Sequence, residues 1–120
     1  MTIERERLAE GQTSPPLAGR VIARGGMVAV CGVAPDPVGD VRTQTRQVLE
    51  RIERLLERAG SGKAKLLTAQ IRLSDMSLLE AHDAAWNEWV DRDHPPLRVC
   101  ARAELPQSGT LLEVSVTAAR

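Results

Sequence analysis

The chain has 120 residues, with 16 basic and 16 acidic side chains and a formal net charge of zero. That length suits one domain with a modest core, and the charge balance argues against a protein built to hold nucleic acid, which carries a basic excess. Phe and Tyr are absent and Trp86 and Trp89 are the only large aromatics, so the base-stacking platforms of RNA-binding modules are missing too.

In chain order, MTIER reads as a short edge strand, and residues 9–20, punctuated by Gly and Pro, as a loop. Two strands follow, Arg20–Ala23 and Met27–Val33, with Gly25-Gly26 as their hairpin turn. After the loop APDPVGD, Asp40 is placed to cap a helix. Its Val41, Val48, Leu49, Ile52, Leu55, Leu56 and Ala59 keep helical spacing, and Gly60 stops it. A strand is expected next, with Leu67, Ala69, Ile71 and Leu73 on its apolar face. Ser77 and Glu80 have capping-box spacing for a second helix, whose buried stripe would be Leu79, His82, Trp86, Trp89 and Val90. Pro95 and Pro96 end it. The last two strands, Leu97–Leu105 and Thr110–Ala118, are joined by PQSG as a hairpin. The order β-β-β-α-β-α-β-β predicts an α+β fold, a mixed sheet with two helices on one face.

The helix-free face would carry Gln70, Arg72, Arg98, Cys100, Arg102 and Glu113, too polar for a monomer's core and suited to cover by other subunits. Arg98 follows the Pro-Pro turn at the mouth of a strand. Its guanidinium is a rigid fork that fits a carboxylate; the plainer alternative is an ion pair with Glu104 or Glu113 of a neighbouring subunit. If Leu105 opposes Thr110 in the hairpin, Arg102 opposes Glu113, and Arg98 lies roughly 13 Å from Glu113 along the strands. One small substrate could not reach both within a single chain, so that pairing is expected across a subunit boundary.

Other chemistry is poorly supported. GSGKA fails as a phosphate loop, because Ala64 stands where Ser or Thr would bind magnesium and a helix, not a strand, precedes it. His82, His94, Cys31 and Cys100 lack the paired spacings of a zinc site, so no metal is expected. No apolar run reaches the length of a membrane span, and the charged start lacks a signal-peptide core. Two cysteines make no disulfide framework, so a cytoplasmic location with reduced thiols is expected.

The segments AWNEWVDRDHPPLRVCARAEL and LLEVSVTAA resemble the Rid family (YjgF/RidA), the reactive-intermediate deaminases, and within it the YoaB-like branch. GGMVAVCGVAP is similar to that family's early strand ending in glycine, here Gly32. The likeness spans about residues 18–119, and residues 1–120 are expected to form one such domain. The resemblance implies a chorismate-mutase-like fold, a homotrimer and clefts between subunits. It implies hydrolysis of enamines and imines such as 2-aminoacrylate to 2-keto acids and ammonium, with no cofactor. It places Arg98 on the substrate carboxylate, Cys100 two residues further along the strand, and Glu113 on proton handling. Cys31, Gly32 and Asp83 join the substrate-binding set. Cys31 stands where the family has a small hydroxyl residue, and Asp83 where many members have asparagine. The aromatic cleft residue of catalytic members falls at or near Ala18. The alternative implied is a non-catalytic trimer that binds small carboxylates or a protein partner.

Overall fold

A computed structural model describes residues 2–7 and 18–120; the loop expected over 9–20 falls mostly outside them. The strands are β1 (Glu4–Arg7), β2 (Gly19–Arg24), β3 (Met27–Gly32), β4 (Leu66–Leu73), β5 (Leu97–Arg102) and β6 (Leu112–Ala119), with helices α1 (Val41–Arg58) and α2 (Leu79–Trp89). They form one sheet in the order β1-β2-β3-β6-β4-β5. Every neighbouring pair is antiparallel except β4 with β5. The expected α+β layering is therefore present, with both helices on one face.

Local chemistry explains most of these elements. Asp40 accepts a hydrogen bond from the Thr43 N–H at 2.9 Å and so caps α1. Val48, Leu49, Ile52 and Leu56 of α1 are fully buried in one aliphatic cluster with Val28, Ile71, Leu73, Val114 and Val116 of the sheet. Gln44, also buried, donates to the Gly109 carbonyl at 2.9 Å and accepts from the Leu111 N–H at 3.0 Å. These bonds fasten the segment entering β6 to α1. Gly109 is required there: its φ is 85°, and a Cβ would lie 2.9 Å from the Pro37 carbonyl oxygen.

Four expectations need correction. First, β5 and β6 do not form a hairpin, because β4 lies between them and β5 runs parallel to β4. β5 ends at Arg102 and β6 starts at Leu112, which removes the expected pairing of Arg102 with Glu113. Second, Leu66 rather than Leu67 is buried in β4, because the β4–β6 register shifts between Leu66 and Thr68 and turns Leu67 outward. Third, Ser77 does not open a capping box. Asp75 accepts from the Ser77 N–H at 2.8 Å and starts a 3-10 turn, Met76–Leu78, that leads into α2. Fourth, α2 buries His82, Ala85 and Trp86, whereas Leu79, Trp89 and Val90 are only half-buried.

His82 is fully buried, and its Nδ1 lies 3.0 Å from the Thr45 hydroxyl of α1. Burial first, then the Arg98 charge, push its pKa down from the ordinary 6.5 to about 4. The folded protein thus holds His82 neutral while the unfolded chain takes up a proton below pH 6.5. This contribution is present above the unfolded value and is lost as pH falls toward 4. We expect folding stability to drop by about 2–3 kcal/mol between pH 7 and pH 4 from this group alone. Urea denaturation across that range should show a flatter profile for His82→Gln than for the wild type.

Candidate functional site

The β4–β5 register decides where the candidate residues point. Parallel partners share a face, and Arg98 pairs with Ala69 while Cys100 pairs with Ile71. Ala69 and Ile71 are buried beneath the helices. Arg98 and Cys100 therefore lie on the helix side of β5, not on the helix-free face the alternation suggested. Leu97 and Val99 occupy the open face instead, 72% and 55% exposed. The apolar stripe of β5 is real, but it points away from this chain's own core.

Arg98 emerges at the rim of the helical layer, where α2 meets it. Its Nη2 donates to Asp83 Oδ1 at 2.6 Å. Its guanidinium carbon lies 5.1 Å from the centroid of the Trp86 ring, within cation–π range. Asp83 and Trp86 are three residues apart on α2, so one helical face presents both. Within its own chain Arg98 pairs with the acid Asp83. Among the described residues its buried Nε has no hydrogen-bond partner. Leaving such a donor unpaired costs about 1–3 kcal/mol. Burial raises the Cys100 thiol pKa above its ordinary value, and the nearby Arg98 charge opposes that shift.

A second group lies on the opposite face of the sheet. Glu113 of β6 accepts from Arg72 Nη1 of β4 at 3.1 Å, and the two are register partners. Cys31 pairs with Ser115, and Ser115 with Gln70, in the adjacent row. These three residues line a hollow of about 270 Å³ with Arg20, Ile22 and Thr117. The Cys31 thiol is raised above its ordinary pKa by burial and by the Glu113 charge. Gly32 ends β3 with its α-carbon turned toward Val48 of α1.

The candidates therefore fall into two sets. Arg98, Cys100 and Asp83 sit at the helix-side rim of the edge strand. Glu113 and Cys31 sit on the open face, with Gly32 at the end of the same β3. β4 separates β5 from β6, so their axes are roughly 10 Å apart, and the two sets also point to opposite sides. Sequence reading missed Trp86 as the platform under Arg98 and Arg72 as the partner of Glu113. The second was within reach, since Arg72 alternates with the buried Ile71 and Leu73. Among the described residues, no cluster of three or more His, Cys, Asp or Glu is placed to hold a metal, and no helix is long and apolar enough to cross a membrane.

The architecture is that of a known class. The sequence model of the family described as Endoribonuclease L-PSP matches residues 13–120, and the chain belongs to that family, the Rid/YjgF proteins. More particularly, it is related to the YoaB-like branch. It is 34% identical over 88 residues to RutC family protein YoaB of Escherichia coli (strain K12), covering 73% of this chain and 77% of that one. It is 32% identical over 120 residues to the protein named 3-aminoacrylate deaminase RutC of Acinetobacter baylyi, covering 92% and 94%. An uncharacterised Pseudomonas aeruginosa protein of known crystal structure superposes with a TM-score of 0.88 at 32% identity, over 99% of both chains. The chorismate-mutase-like fold follows from these likenesses.

The proximity of Glu113 to Cys31 has a measurable consequence. Removing the negative charge should lower the thiol pKa, because the thiolate then forms without a like charge beside it. In Glu113→Gln, alkylation of Cys31 by iodoacetamide at pH 8 should be about two- to fivefold faster than in the wild type. Peptide mass spectrometry resolves Cys31 from Cys100, whose rate should not change.

Proposed function

We propose that this chain is an enamine/imine deaminase that hydrolyses small 2-imino acids to 2-keto acids and ammonium at clefts between subunits of a homotrimer. The observation that carries the reading is the Arg98 guanidinium, held at a rim by Trp86 and Asp83 with its Nε unpaired. Such a group is oriented in advance for a small anion. The 3-aminoacrylate deaminase among the relatives points to the same chemistry. Two unpaired cysteines, Cys31 and Cys100, agree with a cytoplasmic setting.

In this scheme residues 1–120 act as one domain, and Arg98 grips the substrate carboxylate. Water adds its oxygen to the protonated imine carbon and gives up one proton, which leaves a carbinolamine. The amine nitrogen takes up a proton, the hydroxyl loses its remaining proton as the carbon–oxygen double bond forms, and the carbon–nitrogen bond breaks, so that ammonia leaves as ammonium with the keto acid behind. An enamine first takes a proton on carbon to become the imine. Glu113 is the group assigned to move these protons. It stands on the opposite face of the sheet from Arg98, so a second copy of the chain must bring its Glu113 to the cleft. Cys100 lines the rim beside Arg98, while Cys31 borders the Glu113 side and Gly32 ends the same strand. No cofactor is needed, because the imine carbon of a keto-acid imine is already electrophilic. The partners are the small imino or keto acid and further copies of the chain, with neither a membrane nor a nucleic acid. The absence of any Tyr or Phe, and with it of the aromatic cleft residue of catalytic members, favours the alternative, a non-catalytic trimer that binds a small carboxylate or a protein partner.

Two measurements separate the readings. Imino acids generated by an amino-acid oxidase and trapped with semicarbazide should be diverted from the trap by wild-type protein. Arg98→Ala should lower kcat/KM about 10- to 100-fold, and Arg98→Lys nearly as much, because an ammonium cannot form the fork. No diversion by the wild type would select the non-catalytic reading. Independently, Val99→Arg places a charge on the exposed apolar stripe of the edge strand. Light scattering should show trimer mass for the wild type and a shift toward monomer for this variant.

A further inference from the structure

We propose that Asp83 and Arg98 act together as a clamp for ligands in which a carboxylate adjoins a protonated nitrogen, so that plain carboxylates bind poorly. The inference rests on the reading of Arg98 as the carboxylate-binding group and names the ligand class that this site would prefer. Asp83 Oδ1 lies 2.6 Å from Arg98 Nη2. Among the described residues it has no other side-chain partner, and its side chain is 40% exposed. The Trp86 ring covers one face of the guanidinium and is itself nearly buried. A carboxylate that approaches Arg98 must therefore settle beside a fixed negative charge.

That neighbour penalises a ligand with only a carboxylate, because like charges in contact repel strongly at a partly buried site. An ammonium or iminium group on the adjacent carbon reverses the effect, since its N–H donates to Asp83 while the carboxylate meets Arg98. The protein's acid and base then face a ligand base and acid of matching order. A 2-imino acid carries its nitrogen on the carbon next to the carboxylate, so that adjoining ligand groups can meet the adjoining Asp83 and Arg98. The same contact favours the protonated imine, the form that water attacks most readily. Asparagine at position 83 would keep a hydrogen bond to Arg98 and lose this charge preference.

The ligand preference is tested with two three-carbon probes, L-alanine and propionate, which differ by the ammonium group. Isothermal titration should show wild-type protein binding L-alanine at least about tenfold more tightly than propionate. Asp83→Asn should cut that ratio about tenfold or more, mainly by tightening propionate, and Arg98→Ala should abolish both. If Asp83→Asn leaves the ratio unchanged while Arg98→Ala abolishes both, Asp83 only holds the arginine in place. The clamp is then wrong and the Arg98 site stands. If neither probe binds the wild type, the carboxylate site and the clamp both fail.

Discussion

The parallel pairing of β5 with β4 is the constraint on which the placement of every candidate group depends. Because β5 enters beside β4 rather than beside β6, it becomes the edge of the sheet. Its register with β4 then assigns Arg98 and Cys100 to the row of Ala69 and Ile71, the row buried under the helices. A slip of one residue would turn Arg98 to the open face and bury Leu97 and Val99 against α2. The observed register does the opposite. It exposes two large aliphatic side chains and sets a guanidinium at the rim. In an isolated chain that choice carries a hydrophobic cost, since the partly exposed Leu97 and Val99 forgo part of the roughly 1.5–3 kcal/mol that full burial of each would contribute. It makes physical sense where another surface covers them.

The rim itself is shaped by α2, and α2 is anchored by a residue with no direct part in the chemistry. His82 points inward to the Thr45 hydroxyl of α1, while its neighbours Asp83 and Trp86 turn toward Arg98. The angular position of α2 thus sets both the acid and the aromatic face that hold the guanidinium. Arg98 in turn helps to keep His82 neutral. Core packing and site geometry are consequently one system. A change that rotates α2 to repack its buried face would also displace the acid that tunes Arg98.

Much of this arrangement was legible in the residues. The element order, the Asp40 cap, the α1 stripe and the Gly25-Gly26 hairpin follow from local chemistry, and local chemistry decides them. The resemblance drew Arg98, Glu113, Cys31, Gly32, Cys100 and Asp83 out of 120 positions, and it led to the family. What alternation could not show was which stripe of β5 faces the helices. Leu97, Val99 and Ala101 make the more apolar stripe, and within one chain the apolar stripe belongs inside. That rule fails for a strand whose second face is meant for another copy, because hydrophobicity does not record which core a residue joins. The supposed β5–β6 hairpin failed for a related reason. Strands adjacent in sequence usually pair, but the crossover through α2 delivers β5 to the far side of β4, and only tertiary packing decides that.

A site split between two faces of one sheet carries its own geometric demand. If a subunit lends its β5 rim to a neighbour's open face, the contact is head-to-tail, and such a contact either closes into a ring or grows without end. Closure then equips every subunit with one cleft and leaves no rim uncovered, and a ring of three is the smallest cyclic arrangement in which each copy meets two different neighbours. Zero net charge suits that arrangement, since it places no long-range repulsion between identical chains. The Arg98 guanidinium and the exposed Leu97 and Val99 lie on the same short strand, within its first three residues. The apolar excess on the open face of β5 would be relieved by such docking. Assembly and ligand capture would then share a single element, and the arginine that binds the ligand would be held by the strand that binds the neighbour.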